Sequence, residues 1–255
     1  MDQVAVDASN IRRKIVALTL QSGEGHLGSS FSIVEMLMAA YSISEQPGGF
    51  KPQSFYLSKA HASYAFYAFM SEIGLFSDEE LKAVGATGSR WYGHLPYIAG
   101  DTRFHFGAGS LGHGLPFALG YTMSIRRNNC FDKVICLIGD GEANEGTFWE
   151  TLLLVNKFRP SNFKIMVDCN NSSERAVPIM ECFAGLYKSF AEIDFLFCDG
   201  HSVPEISNLL EDKRDAVIFC RTKKGFPVDF MIDNPTWHHK IPTAEEAREI
   251  SARLP

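Results

Sequence analysis

The sequence predicts an α/β fold, a parallel sheet with helices on both faces, and three observations carry that expectation. Short apolar, partly β-branched runs recur at Lys133 to Ile138, Phe163 to Asp168, Glu192 to Cys198 and Ala216 to Arg221, as buried strands do. Between the first two, Glu145 to Phe158 shows helical periodicity through Phe148, Leu152 and Val155, and Arg159-Pro160 stops that helix. Strand, helix and strand in this order make a βαβ unit, whose crossover requires parallel strands.

The earlier elements follow the same logic. Ile11, Ile15, Leu18 and Thr19 place an apolar stripe on a first helix ending near Ser22-Gly23. Gly23 to Ser30 (GEGHLGSS) reads as a glycine-rich loop shaped around something, and Ser32 to Glu35 reads as a capping box opening a second helix through Val34, Leu37 and Met38. Phe55 to Leu57 is a short strand, followed by a polar turn and a helix through Tyr64, Phe66, Tyr67 and Met70; its aromatics are assigned to packing. Ser77 to Glu80 is another capping box, opening a short helix to Val84. From Arg90 to Gly120 the chain is irregular and rich in Gly and His, an unusual composition for a mere connection, before a helix through Leu119, Met123 and Ile125. Later, Val177 to Phe190 and Val203 to Leu210 read as helices. Asp199-Gly200-His201 is an ordinary connection with no role assigned to His201, and residues 223–255 are taken as an irregular C-terminal segment.

Composition narrows the class. The 255 residues are 45% hydrophobic and 21% charged, ordinary values for a soluble globular chain, and without repeats or a linker they are expected to form one domain, 1–255. No segment reaches the ~18 apolar residues of a membrane span, and the N-terminal stretch lacks the apolar core of a signal peptide. The six cysteines show no CxxC spacing; Cys136, Cys169, Cys198 and Cys220 lie in or beside strand runs and are expected to be buried, reduced thiols of a cytoplasmic protein. A net charge of −6 argues against non-specific nucleic-acid binding.

Chemistry concentrates at Gly139-Asp140-Gly141, the turn after the first strand of the βαβ unit. Asp140 and Asn170, at the ends of parallel strands, are expected at the carboxyl edge, where open α/β sheets bind ligands. One carboxylate and one amide are hard oxygen donors, too few to complete a shell unaided, which suits Mg²⁺ with water and phosphate. Gly107, Gly109 and Gly112 also satisfy GxGxxG. The dinucleotide reading needs an apolar strand before the motif and an acidic residue about 20 residues on. Asp101 to Phe106 is a poor strand and Asp132 precedes a strand rather than closing one, so that reading is set aside.

GDG followed after 28 intervening residues by Asn170-Asn171 resembles the diphosphate-binding signature of thiamine diphosphate enzymes, and GDGxxxEG, with Glu145-Gly146, resembles the transketolase family most closely. Five more motifs follow that family's order. Gly25-His26-Leu27-Gly28 is similar to GHPG, and Leu57-Ser58-Lys59-Ala60-His61-Ala62 to LSxGHA. Gly93-His94-Leu95-Pro96 is similar to GHPE with its last two positions inverted. The loop Gly109-Ser110-Leu111-Gly112-His113-Gly114 is similar to GPLGQG, and Lys223 to Lys240 to KGxGVxFMExNPxWHGK, with His238 at the catalytic histidine and His239 in place of Gly. Taken alone, the His238-His239 pair is a weak metal signal, because neighbours on one strand or loop point apart and no third ligand is implied.

The resemblance implies the diphosphate-domain fold and thiamine diphosphate with Mg²⁺ (or Ca²⁺ or Mn²⁺) as cofactors. The metal ligands would be Asp140, Asn170 and the Ser172 carbonyl; the cofactor contacts would be Gly109, Ser110, Leu111, Gly139, Asp140, Gly141, Asn170, His61 and His238. It implies catalytic roles for His26, His61, His94 and His238, and for Glu145 in a carboxylate network across a subunit interface. The activity implied is transfer of a two-carbon ketol unit from a ketose, expected to be a sugar phosphate, to an aldehyde. Because the resemblance covers only the diphosphate-binding part, it implies a partner, a C-terminal subunit carrying the pyrimidine-binding domain, in an α₂β₂ assembly. The alternatives are an α subunit of a 2-oxo acid dehydrogenase, a split deoxyxylulose-phosphate synthase, and a non-catalytic regulatory relative. The histidines at positions 26, 61 and 238 fit the first poorly, the Trp237-His238 region fits the second poorly, and the intact Asp140, Glu145 and Asn170 argue against the third.

Overall fold

The computed structural model describes residues 5–43, 51–170, 184–232 and 234–255. Among them five strands, β1 (Phe55–Leu57), β2 (Val134–Gly139), β3 (Phe163–Cys169), β4 (Asp194–Asp199) and β5 (Ala216–Arg221), form one sheet in the order β1-β2-β3-β5-β4. Every neighbouring pair is parallel, with Gly139 opposite Asp168 in the β2–β3 register. All carboxyl ends therefore share one edge, and the turns after Leu57, Gly139, Cys169, Asp199 and Arg221 gather there.

Helices cover both faces. They are α1 (Ala8–Ser22), α2 (Leu27–Phe31), α3 (Val34–Ser42), α4 (Ser63–Glu72), α5 (Asp78–Ala83), α6 (Gly114–Arg127), α7 (Gly146–Phe158), α8 (Ala184–Tyr187), α9 (Val203–Glu211) and α10 (Ala244–Ala252). Ile135, Leu137, Met166 and Ile218 face a core shared with α1 to α4, α9 and α10. The alternate residues Cys136, Ile138, Ile165, Val167, Val217 and Phe219 face a second core under α6 and α7. Burial on both sides explains why the strands read as continuous apolar runs rather than alternating ones. Tyr64, Phe66, Tyr67 and Phe69 of α4 are all buried in the first core. Among the described residues no helix is long and apolar enough to cross a membrane.

Local signals fix several ends. Asp7 caps α1 by accepting the Ser9 N–H at 2.8 Å, and Gly23 closes the helix in the left-handed region at φ 68°. Ser77 and Glu80 form the expected capping box on α5. Thr102–Phe104 is a single 3₁₀ turn, so no strand precedes the Gly107 loop.

Three expectations are corrected. Ser32 and Glu35 do not form a capping box: α3 starts at Val34 after Ile33, which makes no side-chain cap. Buried polar partners have taken both side chains. Ser32 Oγ donates to Asp168 Oδ2 at 2.8 Å, and Glu35 accepts Arg12 Nη2 at 2.8 Å and lies 3.3 Å from His201 Nδ1. A carboxylate paired in the interior gains more than one capping an exposed backbone amide, because its desolvation must be compensated. The Gly23 to Ser30 stretch is not all loop, since α2 begins at Leu27, directly after His26. The segment 223–255 is not irregular throughout. Thr243 and Glu246 form a capping box at the start of α10, whose Ala247 and Ile250 pack on the first core; the T-x-x-E pattern in the sequence was the signal for it. Of the helix expected over Val177 to Phe190, residues 177–183 lie outside the described residues; α8 ends at Tyr187, after which the chain turns.

Candidate active site

The turn after β2 is anchored to its neighbour strand. The Asp140 N–H donates to the Asp168 carbonyl at 3.2 Å, Gly141 N–H to Asp140 Oδ1 at 2.8 Å, and Asn144 Nδ2 to the Asp140 carbonyl at 3.1 Å. Asn170, one residue beyond β3, donates its amide Nδ2 to Asp168 Oδ2 at 2.8 Å, which sets its oxygen on the other side of the amide. Asp140 and Asn170 thus stand at adjacent strand ends, and their oxygen donors suit a hard divalent cation better than a thiophilic one. Ser172, the remaining predicted metal ligand, lies outside the described residues, as does Asn171.

Asp168 is the hub beneath them. Fully buried, it pairs with the Lys59 ammonium, itself 2% exposed, and accepts from Ser32, Thr222 and Asn170. Burial pushes its carboxyl upward, but the Lys59 charge and these donors outweigh burial and hold it below the usual carboxylate range. Each donor comes from a different strand end or helix, so one carboxylate clamps the turns after β1, β3 and β5 to α2 and α3.

A second buried carboxylate shapes the glycine loop. Glu142, 1% exposed, accepts Ser58 Oγ at 2.6 Å, Gly112 N–H at 2.9 Å and Gly139 N–H at 2.9 Å. Ser58 Oγ in turn accepts the Gly114 N–H at 3.1 Å. Burial raises the Glu142 pKa, and the three donors offset only part of that. Gly112 has φ 77°, and a methyl group there would meet Thr147 Oγ1 and come within 3.2 Å of Glu145 Cβ, so only glycine fits. Gly109, Ser110 and Leu111 lie exposed on this loop, and Glu145 is exposed at the start of α7.

Beside this corner five of the eight histidines converge. His26 lies with ring centroids 5.1 Å from His61, 6.5 Å from His94, 5.8 Å from His238 and 4.3 Å from His239. They arrive on four separate pieces of chain: the start of α2, the turn after β1, the loop at Gly93 and the 3₁₀ turn Pro235–Trp237. Glu24 fastens the first and third by accepting the Gly93 N–H at 3.1 Å. Gly28 and Gly225 bring in the fourth: the Gly225 N–H donates to the Gly28 carbonyl at 3.3 Å, and a Cβ on Gly225 would lie 2.7 Å from Met231 Cβ.

The cluster is poor in protons. Burial, reinforced by His239, His238, His94 and Lys224, lowers His26 to about 3. Burial, with Lys59 next, lowers His61 to about 2. His238 is lowered by burial and then by Lys224. Lys224, pushed down to about 8 by burial and Lys59, donates its ammonium to His238 Nδ1 and feels Asp168 and Asp140 from the other side. That hydrogen bond assigns the His238 ring proton to Nε2.

The expected histidines 26, 61, 94 and 238 are therefore brought together. Lys59, Glu142, Asp168 and Lys224 were not singled out from the sequence. Asp168 and Lys59 had a signal, a charged residue ending or following an apolar strand run; nothing in the sequence distinguishes Glu142 from the nearby Glu145, or Lys224 from its neighbour Lys223. The reading that His238 and His239 point apart is corrected: their centroids are 4.4 Å apart, because the chain turns there rather than running extended. His201 is structural, accepting the Lys223 N–H at 2.9 Å and stacking on Phe226 at 3.9 Å.

Comparison with known proteins places this architecture in a class. No family model matches the sequence. The fold superposes on transketolase from Pichia stipitis with a TM-score of 0.82 at 19% identity, covering 97% of this chain and 40% of that one. Transketolase from Campylobacter jejuni gives 0.80 at 22% identity, covering 96% and 42%. The fold is that of the N-terminal, thiamine diphosphate-binding domain of transketolases. In sequence, the chain is 28% identical over 259 residues to one of the subunits of apulose-4-phosphate transketolase from Actinobacillus succinogenes, covering 96% of this chain and 93% of the relative. The corresponding protein of Phocaeicola vulgatus matches at 26% over the whole chain and 96% of the relative, and human transketolase at 27%, of which only 40% is covered. Over nearly its whole length the chain is thus similar to subunits of apulose-4-phosphate transketolase, and it spans about two fifths of the single-chain transketolases it matches.

Proposed function

We infer that this chain binds thiamine diphosphate through a divalent cation and, with a C-terminal subunit carrying the pyrimidine-binding domain, transfers a two-carbon ketol unit from a ketose phosphate to an aldehyde. The observation that carries this reading is the meeting of His26, His61, His94 and His238 at the carboxyl edge of the sheet, beside the Asp140–Asn170 corner.

Asp140 and Asn170 would hold Mg²⁺, with Ca²⁺ or Mn²⁺ able to replace it, and Gly139, Gly141 and the Gly109-Ser110-Leu111 loop would present backbone to the diphosphate. The bound cofactor supplies the nucleophilic carbon and electron sink for carbon–carbon cleavage. The protein's own part is to hold hydroxyls and manage their protons. With pKa values of about 3 and 2, His26 and His61 stay neutral at pH 7 and offer N–H donors to sugar oxygens without adding charge. His238 offers Nε2–H, and the Lys224 ammonium behind it is the nearest reserve of protons for an oxygen that gains negative charge. His94 is exposed and would meet the donor's terminal hydroxyl.

A partner is supported by exposed apolar side chains, Leu111 just before α6 and Phe117 at its start near this edge, and Leu153, Leu154 and Phe158 farther along α7. In an α₂β₂ assembly they would be covered, with Glu145 at the same boundary. The substrate named for the subunit relatives, apulose-4-phosphate, is the donor to try first.

Reconstitution tests the reading. Chain, C-terminal subunit, Mg²⁺ and thiamine diphosphate together should transfer ketol groups from a ketose phosphate, apulose-4-phosphate first, and the chain alone should not. In the assembled enzyme His238→Ala should lower turnover by roughly 10²–10⁴-fold at saturating cofactor. Turnover by the chain alone would overturn the split-enzyme reading.

A further inference from the structure

We propose that His26, His238 and His239 form a site for a borderline transition-metal cation, with Zn²⁺ the chemical type, separate from the hard-cation corner at Asp140 and Asn170. One nitrogen from each ring lies within 4.8 Å of the others. Three imidazoles on one tetrahedral zinc stand about 3.3 Å apart, given Zn–N distances of about 2.0–2.1 Å, so the rings need close by only about an ångström or so. Two of them have room for that: His239 is exposed, and His238 follows a 3₁₀ turn rather than sitting in the sheet. Three nitrogen donors and an open fourth position suit zinc, copper or nickel, whereas magnesium and calcium prefer oxygen.

The site exists because His239 stands where the resembled transketolase motif has glycine. His26 and His238 alone, with centroids 5.8 Å apart, would make only a two-ligand contact; His239 lies 4.3 Å from the first and 4.4 Å from the second and closes the triangle. One group opposes the ion. The Lys224 ammonium donates to His238 Nδ1. A metal on Nδ1 displaces it, and a metal on Nε2 drives the ring proton onto Nδ1, where an ammonium is no longer welcome. Either way the lysine competes with the cation. The other nearby ammonium, Lys59, is already neutralised by Asp168.

Metal binding rests on this geometry alone; its effect on turnover rests on the ketol-transfer reading. On that reading His26 and His238 would handle the acceptor's oxygen, so an ion held by both closes the acceptor approach, and zinc acts as an inhibitor that excess Mg²⁺ does not relieve.

Titration calorimetry of the full purified chain with ZnCl₂, in buffer holding millimolar-excess Mg²⁺ so that the oxygen-donor corner is saturated, tests the site without any assay of activity. One zinc per chain is expected. His239→Gly should weaken it at least ~10-fold, about 1.4 kcal/mol, His201→Ala should leave it unchanged, and Lys224→Met should tighten it. Cobalt(II) in the same experiment should show the intense visible absorption of a tetrahedral site, lost in His239→Gly. Absence of stoichiometric zinc, unchanged affinity in His239→Gly, or weaker affinity in Lys224→Met would overturn the proposal. Should zinc bind as described yet leave the reconstituted enzyme's turnover untouched, the metal site stands and the assignment of His26 and His238 to the acceptor falls.

Discussion

Glu142 offers the sharpest quantitative test of how the glycine loop is held. Its two carboxylate oxygens accept three donors, Oε1 from Ser58 Oγ and Gly112 N–H and Oε2 from Gly139 N–H. Glu142→Ala strands all three in an interior where the side chain is 1% exposed. Each unsatisfied buried donor costs ~1–3 kcal/mol. Against that sum stands the relief of no longer burying a carboxyl whose pKa burial raises, which brings the expected loss of stability to about 3–5 kcal/mol. Glu142→Gln is the finer probe. Whichever way the amide is set, its NH₂ faces a backbone N–H: Gly139 in one orientation, Gly112 in the other. In the second case Ser58 Oγ has a lone pair left to accept the amide, but the Gly112 N–H still loses its acceptor. One donor must go unmet, at a cost of about 1–3 kcal/mol. Urea unfolding of wild type and both variants at pH 7, read from the near-ultraviolet circular dichroism of the aromatic core, gives both values. If the two variants lie within about 0.5 kcal/mol of wild type, Glu142 does not hold the three segments together and the account of the Gly107 to Gly114 loop is wrong.

Two further outcomes follow from the same geometry. Asp140→Ala should abolish thiamine diphosphate retention by the assembled enzyme in calorimetry, and Asn170→Ala should weaken it less, with no change in the urea midpoint beyond ~1 kcal/mol for Asp140→Ala; cofactor affinity unchanged in Asp140→Ala would defeat the metal assignment. The buried histidines should make the chain acid-sensitive: His61, at about 2 when folded, takes up a proton only on unfolding once the pH falls below its ordinary 6.5. Stability is therefore complete above that pH and declines through pH 6 to 4, by up to about 1.4 kcal/mol per unit for a group so deeply buried. His61→Asn should make the decline shallower, and equal slopes in urea titrations of the two proteins would refute the burial argument.

Order along the chain was enough to establish the β2–α7–β3 unit, the parallel pairing and the carboxyl-edge position of Asp140 and Asn170. These depend on residues close in sequence and on the periodicity that a helix or a doubly buried strand imposes. The likeness to transketolases likewise rests on short motifs, each complete within a few residues, so His26, His61, His94 and His238 could be named without coordinates. The corrections all fall where a side chain has a choice of partners. Ser32 and Glu35 carry the letters of a capping box, but Asp168, Arg12 and His201 come from 136, 23 and 166 residues away to claim them. Thr243 and Glu246 carry the same letters, and there the box forms, since they bond to each other and to the helix they open.

What only the tertiary structure decided is which charges meet. Lys59 and Asp168, 109 residues apart, become a buried pair beneath the Asp140–Asn170 corner. Glu142 becomes the tie among three turns. His26 and His239, at opposite ends of the chain, come within 4.3 Å and give an adjacent histidine pair the third ring that its own spacing could not promise. Helices and strands report local propensity and burial period, which the sequence writes in consecutive letters. A buried charge or a set of ligands is satisfied by whatever the fold delivers across a cleft, and that is settled by the order and register of the strands.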